Sequence, residues 1–426
     1  MRADGQDPSR RLRGRSEGGG PVDAKEARAV QGLVPNLVPF LLLVVTNFFV
    51  GGMVGLERSV LPLLGERVFG LASTGAALSF IVSFGLTKGV VNLFAGALAD
   101  RYGRKRILLF GWGIGFWVPV LIITAPSWTV ILLANVLLGL HQGLTWSMTV
   151  NMKLDLVRPE ERGTAVGLNE FSGYLGASVL AALSGYVAMA KALRPEPFYL
   201  GFGLVAVGFL LSLVAPDTAA AARSAGGFGP GMSLAEAFRR TTWADRRLMS
   251  LSFAGMTTNL KDGLAWGIFP LLLAQKGLDL GTASLIVSAY PASWGLFQLL
   301  TGPLSDRIGR KALIVGGMAV QAASLWAFLW ATSVAALGLA AVLLGIGTAM
   351  VYPTLQAAVG DRVAPAWRAS ALGVYRFWRD EGYAFGALLG GALADVFGLR
   401  TSVGLIAFLP LLAAGLVARF DREEGG

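Results

Sequence analysis

GALADRYGRK at 96–105 and GPLSDRIGRK at 302–311 are the same ten-residue pattern written twice, 206 positions apart. Each copy has a glycine, an Asp-Arg pair and then Gly-Arg-Lys, and each lies between two apolar blocks. The register continues beyond them. VLLGLHQG at 136–143 returns as VLLGIGTA at 342–349, and DLVRPEERGTAVGLNE at 155–170 returns as DRVAPAWRASALGVYR at 361–376. In the third pair Asp155, Pro159, Arg162 and Gly167 match Asp361, Pro365, Arg368 and Gly373. Three segments in one register make the chain two copies of one unit, and a repeat of this length governs the architecture.

The unit belongs in lipid. Hydrophobic residues make up 54% of the chain, charged residues only 15%, and the mean hydropathy is +0.61. A soluble chain carries roughly a quarter charged residues. The apolar residues fall in long blocks such as 36–56, 106–124, 128–150, 198–215, 312–331 and 399–418. Each approaches the ~20 residues that a helix needs to cross the hydrocarbon layer. Twelve spans are predicted, near 34–58, 73–98, 106–124, 128–152, 164–190, 197–215, 248–274, 281–303, 311–331, 335–359, 369–396 and 399–419. The expected organisation is a polar, Arg- and Gly-rich disordered tail (1–33), a six-helix bundle (34–215), a basic linker (216–247), a second six-helix bundle (248–419) and a short tail (420–426). The fold class is therefore all-α membrane protein, two pseudo-symmetric bundles with a pathway between them.

Charge sets the orientation. With a cytoplasmic N-terminus, about 26 of the 36 Lys and Arg fall in the tails and cytoplasmic loops, as the positive-inside rule requires. Arg58 is counted outside, at the end of the first span. The expected location is the inner (plasma) membrane, with both termini cytoplasmic. Topology accounts for the net charge of +10, so no nucleic-acid partner is expected. With no cysteine, disulfides and thiolate metal sites are excluded. No metal, no cofactor and no enzymatic motif is expected: neither a nucleophile–base set nor a phosphate loop is present.

The doubled loop resembles that of the major facilitator superfamily, Gly-x-x-x-Asp-Arg-x-Gly-Arg-Lys between the second and third helices. The match is Gly96, Asp100, Arg101, Gly103, Arg104 and Lys105, and again Gly302, Asp306, Arg307, Gly309, Arg310 and Lys311. The resemblance covers about residues 34 to 419. It implies that Asp155 and Asp361 partner Arg101 or Arg104 and Arg307 or Arg310. It also implies that such pairs, with Asp100 facing the start of the eleventh helix, latch the halves on the cytoplasmic side. The alternative is that these loops only set orientation. Helix five lacks the proline of the Gly-Pro-rich motif of many drug exporters in this superfamily. Asn135 stands where members often have arginine, and Asn47 is the most polar mid-span group of helix one. GLNEFSGYLG and RFWRDEGYAFGALLGG are similar to a bacterial branch that includes magnetosome-associated members, which would imply iron-related transport.

Charges inside lipid are costly and normally face a cavity or a partner. The candidates are Lys88, Glu170, Lys261, Asp262, Arg376, Arg379, Asp380 and Glu381, all on helices that line the cavity or flank it in the resembling family. Asn259, Asp262 and Trp266 share one helical face, as do Asn135, Gln142, Trp146 and Thr149, with His141 adjacent. Register places Glu170 opposite Arg376, as a gate or a grip on a charged solute; an internal salt-bridge network is the alternative. Lys261 and Asp262 either handle solute and protons or neutralise each other. His141, Asp262 and Glu170 are the candidate proton carriers. Glu57 and Arg58 either pair near the outer surface or anchor the helix there. Trp146, Trp266, Tyr290, Trp294, Tyr352 and Trp378 favour an organic ligand.

The expected function is secondary active transport of a small solute by alternating access, proton-coupled, by a monomer. Efflux of an organic compound stands ahead of uptake of a polar or anionic solute. A passive facilitator or receptor is the other class.

Overall fold

The computed structural model describes residues 32–218, 232–364 and 367–421. Among them there is no strand, and twelve long helices succeed one another. They are α1 (Leu37–Arg58), α2 (Ser79–Tyr102), α3 (Arg104–Thr124), α4 (Trp128–Leu156), α5 (Arg162–Ala190) and α6 (Glu196–Val214). The second half has α7 (Arg246–Gln275), α8 (Leu280–Ile308), α9 (Arg310–Trp330), α10 (Val334–Asp361), α11 (Arg368–Phe397) and α12, broken into Leu399–Ile406 and Phe408–Phe420. The residues 1–31 and 422–426 of the expected tails, and 219–231 of the linker, lie outside the described residues. The later part of the linker folds as a short helix (Leu234–Arg239) with a π-turn (Arg240–Ala244).

Nine of the helical stretches are long and apolar enough to cross a membrane. The remaining three are α2, α7 and α11, long enough but carrying the charges. These three helices carry much of the charge that enters the lipid layer, and the packing explains how it is tolerated. Within the first half α1 packs on α5 and α6, α2 on α4, and α3 on α4 and α6; the second half repeats this as α7 on α11 and α12, α8 on α10, and α9 on α10 and α12. Between halves the two broad seams are α2–α11 and α5–α8. Each exchanges into the other under the 206-residue shift, so the pairing list itself has a pseudo-twofold.

Lipid supplies no hydrophobic drive between helices, so close contact must do the work. A Cβ at Gly51, Gly55 or Gly176 would fall onto a carbonyl of the facing α1 or α5 backbone, and one at Gly382 or Gly386 onto a carbonyl of α7. Gly176 and Gly382 are repeat equivalents. Turns follow the motif too: Gly103 and Gly309 have φ of 87° and 91°, a conformation that favours glycine.

One boundary differs from expectation. After a break at Ser59–Val60, α1 continues as Leu61–Arg67, because SVLPLL is apolar and Pro62 suits a first helical turn. The span runs Leu37–Arg67. Arg58 therefore lies inside the protein, 2% exposed, which corrects its placement near the outer surface.

Candidate functional site

Two faces are distinguished here: the terminal face, where the chain enters and leaves, and the opposite face. Between them Arg58 of α1 meets Asp262 of α7 through two hydrogen bonds of 3.0 and 2.9 Å. Both side chains are buried, and the pair joins the halves. The guanidinium also lies 5.0 Å from the Trp266 ring, which is packed among Phe80, Phe84 and Tyr383. Both Asp262 oxygens are thus taken by Arg58 and not by Lys261. Helix rotation sends Lys261 the other way, where its ammonium donates to the Tyr290 hydroxyl and to Thr348 Oγ1 (2.7 Å) within the second half.

Toward the terminal face α11 presents a second buried pair. Arg379 donates to both oxygens of Asp380 at 2.9 and 3.0 Å. Asp380 also accepts from Asn92 of α2 and from Asn259 of α7 (3.2 Å). Arg379 lies 4.7 Å from the Tyr352 ring. Arg376 donates to Gln356 at 3.2 Å. Glu170 accepts from Trp146 Nε1 (2.8 Å) and Asn169 (3.1 Å), and its other oxygen is buried without a partner. Glu170 and Arg376 line one chamber but form no ion pair. The expected gate is not closed in this conformation.

Lys88 is the hinge of the arrangement. It lines the chamber shared by Glu170, Arg376 and Arg379 and a second one bounded by Arg58, Gln142, Tyr174 and Tyr383. Each chamber encloses about 20 Å³, room for about one water. The pathway is contracted. A far larger cavity, about 1110 Å³, opens among Arg239, Arg240, Arg246, Arg247 and Arg419 at the terminal face, away from these groups. A ladder of rings crosses between the halves: Trp146 to Tyr174 at 5.5 Å, Tyr174 stacked on Trp294 at 3.6 Å, and Trp294 to Tyr352 at 4.9 Å.

Other candidates go elsewhere. His141 Nδ1 sits 2.9 Å from the Gly111 carbonyl, and the ring packs on Trp112 between α3 and α4. It lies inside one bundle and lines neither chamber. Asn47 ties α1 to α5 and α4, donating to the Asn169 carbonyl (2.7 Å) and accepting from Thr149 (2.9 Å). Asn135 donates to the Ile131 carbonyl of its own helix and lies beside Glu57. Gln142 donates to the Val50 carbonyl at 2.6 Å, leaving its oxygen unpartnered. Trp378 turns to Thr242 and Phe238 at the terminal face, off the pathway.

In the doubled loops Arg104 pairs with Asp155, and Arg310 with Asp361 at 3.2 Å. The first pair joins α3 to α4 and the second α9 to α10, so each of these two bonds lies within one bundle. Arg101 stacks over Tyr102 and Arg307 is exposed. A Cβ at Gly302 would meet open space. The side chains at Gly96, Asp100 and Asp306 lie outside the described residues.

On the opposite face Asp395 of α11 accepts from Ser73 Oγ (2.6 Å) and from the backbone N–H groups of Thr74 (2.5 Å) and Gly75 (3.1 Å). The sequence reading missed this contact, and also Arg58, Asn92, Tyr174 and Gln356. For Arg58 a signal existed: the repeat shift carries it to position 264, the level of Asp262.

The comparisons with known proteins follow the same line. The Major Facilitator Superfamily profile matches residues 40–260 and again 251–425. A probable 4-methylmuconolactone transporter from Cupriavidus pinatubonensis is 28% identical over 262 residues; the match takes in 55% of this chain and 58% of that protein's length. The multidrug resistance protein MdtG of a Rahnella species is 26% identical over 389 residues, 86% of this chain and 90% of that one. Among solved structures, a point mutant of the nucleoside transporter NupG superposes with a TM-score of 0.73 at 16% identity, covering 90% of this chain and 100% of that one. With its doubled signature, its pseudo-twofold helix pairing and a profile matched in both halves, the chain belongs to the Major Facilitator Superfamily.

Proposed function

We propose that this protein is a proton-coupled secondary transporter that exports a small organic compound by alternating access. It works as a monomer with both termini in the cytoplasm. The observation that carries the reading is the buried Arg58–Asp262 pair between the halves. Removing one partner of such a pair leaves a naked charge, so the bond and the closed state stand or fall together. A proton delivered to Asp262 would release Arg58 and let the halves part. Next to Arg58, Glu57 is fully buried with both carboxyl oxygens unpartnered. Intramembrane carboxyls of this kind serve as proton relays in transporters, so Glu57 joins Asp262 and Glu170 as a proton-carrying group.

Export is supported by the multidrug resistance relatives, and an organic solute by the ring ladder. The test uses purified protein in liposomes with an imposed pH gradient and an internal pH dye. Export coupled to protons predicts gradient dissipation on adding solute and loss of that response in Asp262→Asn. A solute flux that ignores the gradient removes the proton coupling. Accumulation in the direction opposite to that driven for an exporter would establish uptake.

A further inference from the structure

We propose that Lys88 anchors a carboxylate on the transported solute, and that the attached body is flat, bears a hydrogen-bond donor and lies on the ring ladder. The substrate class is thus a small hydroxylated or amino-bearing aromatic carboxylate; this rests on the transport reading above. Two of the buried cations are already paired with carboxylates. Arg58 holds Asp262, and Arg379 holds Asp380, each through two hydrogen bonds. Lys261 is engaged by Tyr290 and Thr348. Lys88 is buried on α2 and makes no ion pair with any described carboxylate.

What surrounds Lys88 is a cage of rings. Its ammonium lies 5.5 Å from Phe84, 5.6 Å from Trp146 and 5.3 Å from Tyr383. Ring faces hold a cation without satisfying it as an anion would. The cage also closes off the sides, leaving the two chambers as the ways to approach the ammonium. A carboxylate arriving in the chamber lined by Glu170 and Arg376 would meet both Lys88 and Arg376. Trp146, one wall of the cage, is also the first rung of the ladder through Tyr174 to Trp294, so a planar group joined to that carboxylate finds ring faces on both halves. Two buried oxygens face these chambers with no partner, one on Glu170 and one on Gln142. Both are acceptors. An O–H or N–H on the solute would satisfy either, and in the chamber that Glu170 lines the solute carboxylate meets Lys88, Arg376 and Arg379 against that single acid.

The test is isothermal titration of the full chain in lipid nanodiscs with 4-hydroxybenzoate, benzoate and 4-hydroxybenzamide. The expected order is 4-hydroxybenzoate tightest, benzoate weaker, and the neutral amide at least about tenfold weaker than the hydroxy acid, a difference of ~1.4 kcal/mol. Lys88→Met removes the preference for the acid over the amide, and Lys88→Arg restores it. Equal binding of acid and amide, no binding of either acid, or full acid preference in Lys88→Met would each overturn the proposal. The wild-type comparison stands even if Lys88→Met fails to fold. Counterflow of labelled 4-hydroxybenzoate in liposomes separates the two readings. Charge-selective binding without counterflow sinks transport and leaves the site; counterflow with charge-blind binding sinks the site alone.

Discussion

The two seams between the halves are repeat equivalents built from different materials. Along α2–α11 Phe84 meets the Tyr383 ring at 5.6 Å and Gly85 faces Ala384, but charged groups join them: Asp395 on Ser73 and the Thr74 backbone N–H ahead of α2, Asn92 on Asp380, and Lys88 against Tyr383. Along α5–α8 the contacts are rings and small groups: Tyr174 on Trp294, Ser178 donating to the Ser288 carbonyl at 2.8 Å, and Gly185 against Ser284. The opposite-face ends show the difference most clearly. Asp279, the repeat equivalent of Ser73, caps its own helix α8, accepting from Thr282 N (3.0 Å) and Oγ1 (2.7 Å). Ser73 receives help across the seam from Asp395. The Asp279 cap is indifferent to how the halves sit; Ser73 also caps its own turn through Ala76 N–H (3.1 Å), but the bonds that Asp395 adds there exist only while the halves are together. The lesson is that a symmetric scaffold can place its electrostatic control on one seam and leave the other to shape.

The most severe way to break this contrast is Asp380→Ala, which strands Arg379 in the interior. Unfolding in detergent should register a loss of about 3–5 kcal/mol; a loss under 1 would mean the polar seam is incidental. Trp294→Leu attacks the other seam by packing alone and should cost about 2 kcal/mol, with the pH dependence of transport unchanged. Asp395→Asn should shift the balance of conformations by about 1 kcal/mol, a factor of roughly five. Labelling of a cysteine introduced at Ala72 in this cysteine-free chain would report it. Asp279→Asn should leave that labelling rate alone, since its cap is internal to α8. Thr282, through its hydroxyl and then its backbone N–H, holds the Asp279 carboxyl below its ordinary range. Its contribution is therefore complete near neutrality and lost only as acid passes below that range. Smallest is Ser178→Ala, near ~0.6 kcal/mol.

Much of the fold was legible because it is periodic. The repeated loop, the apolar blocks and the motif glycines each have a local cause that survives in one dimension. The charged helices were legible too, since lipid makes a charge conspicuous. Which charge faces which was not. Lys261 and Asp262 are neighbours in sequence but point into different halves, because the rotation of α7 is fixed by glycine contacts with α11. Arg58 looked like a helix end because charges usually mark one, and the apolar SVLPLL that continues the span was read as a loop. His141 drew attention by residue type, whereas its Gly111 carbonyl and Trp112 neighbour lie within the first bundle. Asp395 carried no motif at all, and its partner lies 322 residues away.

The Lys88 ammonium, which makes no ion pair with a described carboxylate, has an electrical consequence. Paired groups move through a voltage drop without work, but a charge lacking an internal counter-ion does not. Work of about 2.3 kcal/mol accompanies one full charge crossing 100 mV, and a rocking carrier moves its centre through only part of that field. A monoanion docked on Lys88 would cancel one positive charge, so loading would weaken the pull of the membrane voltage on the carrier as it resets.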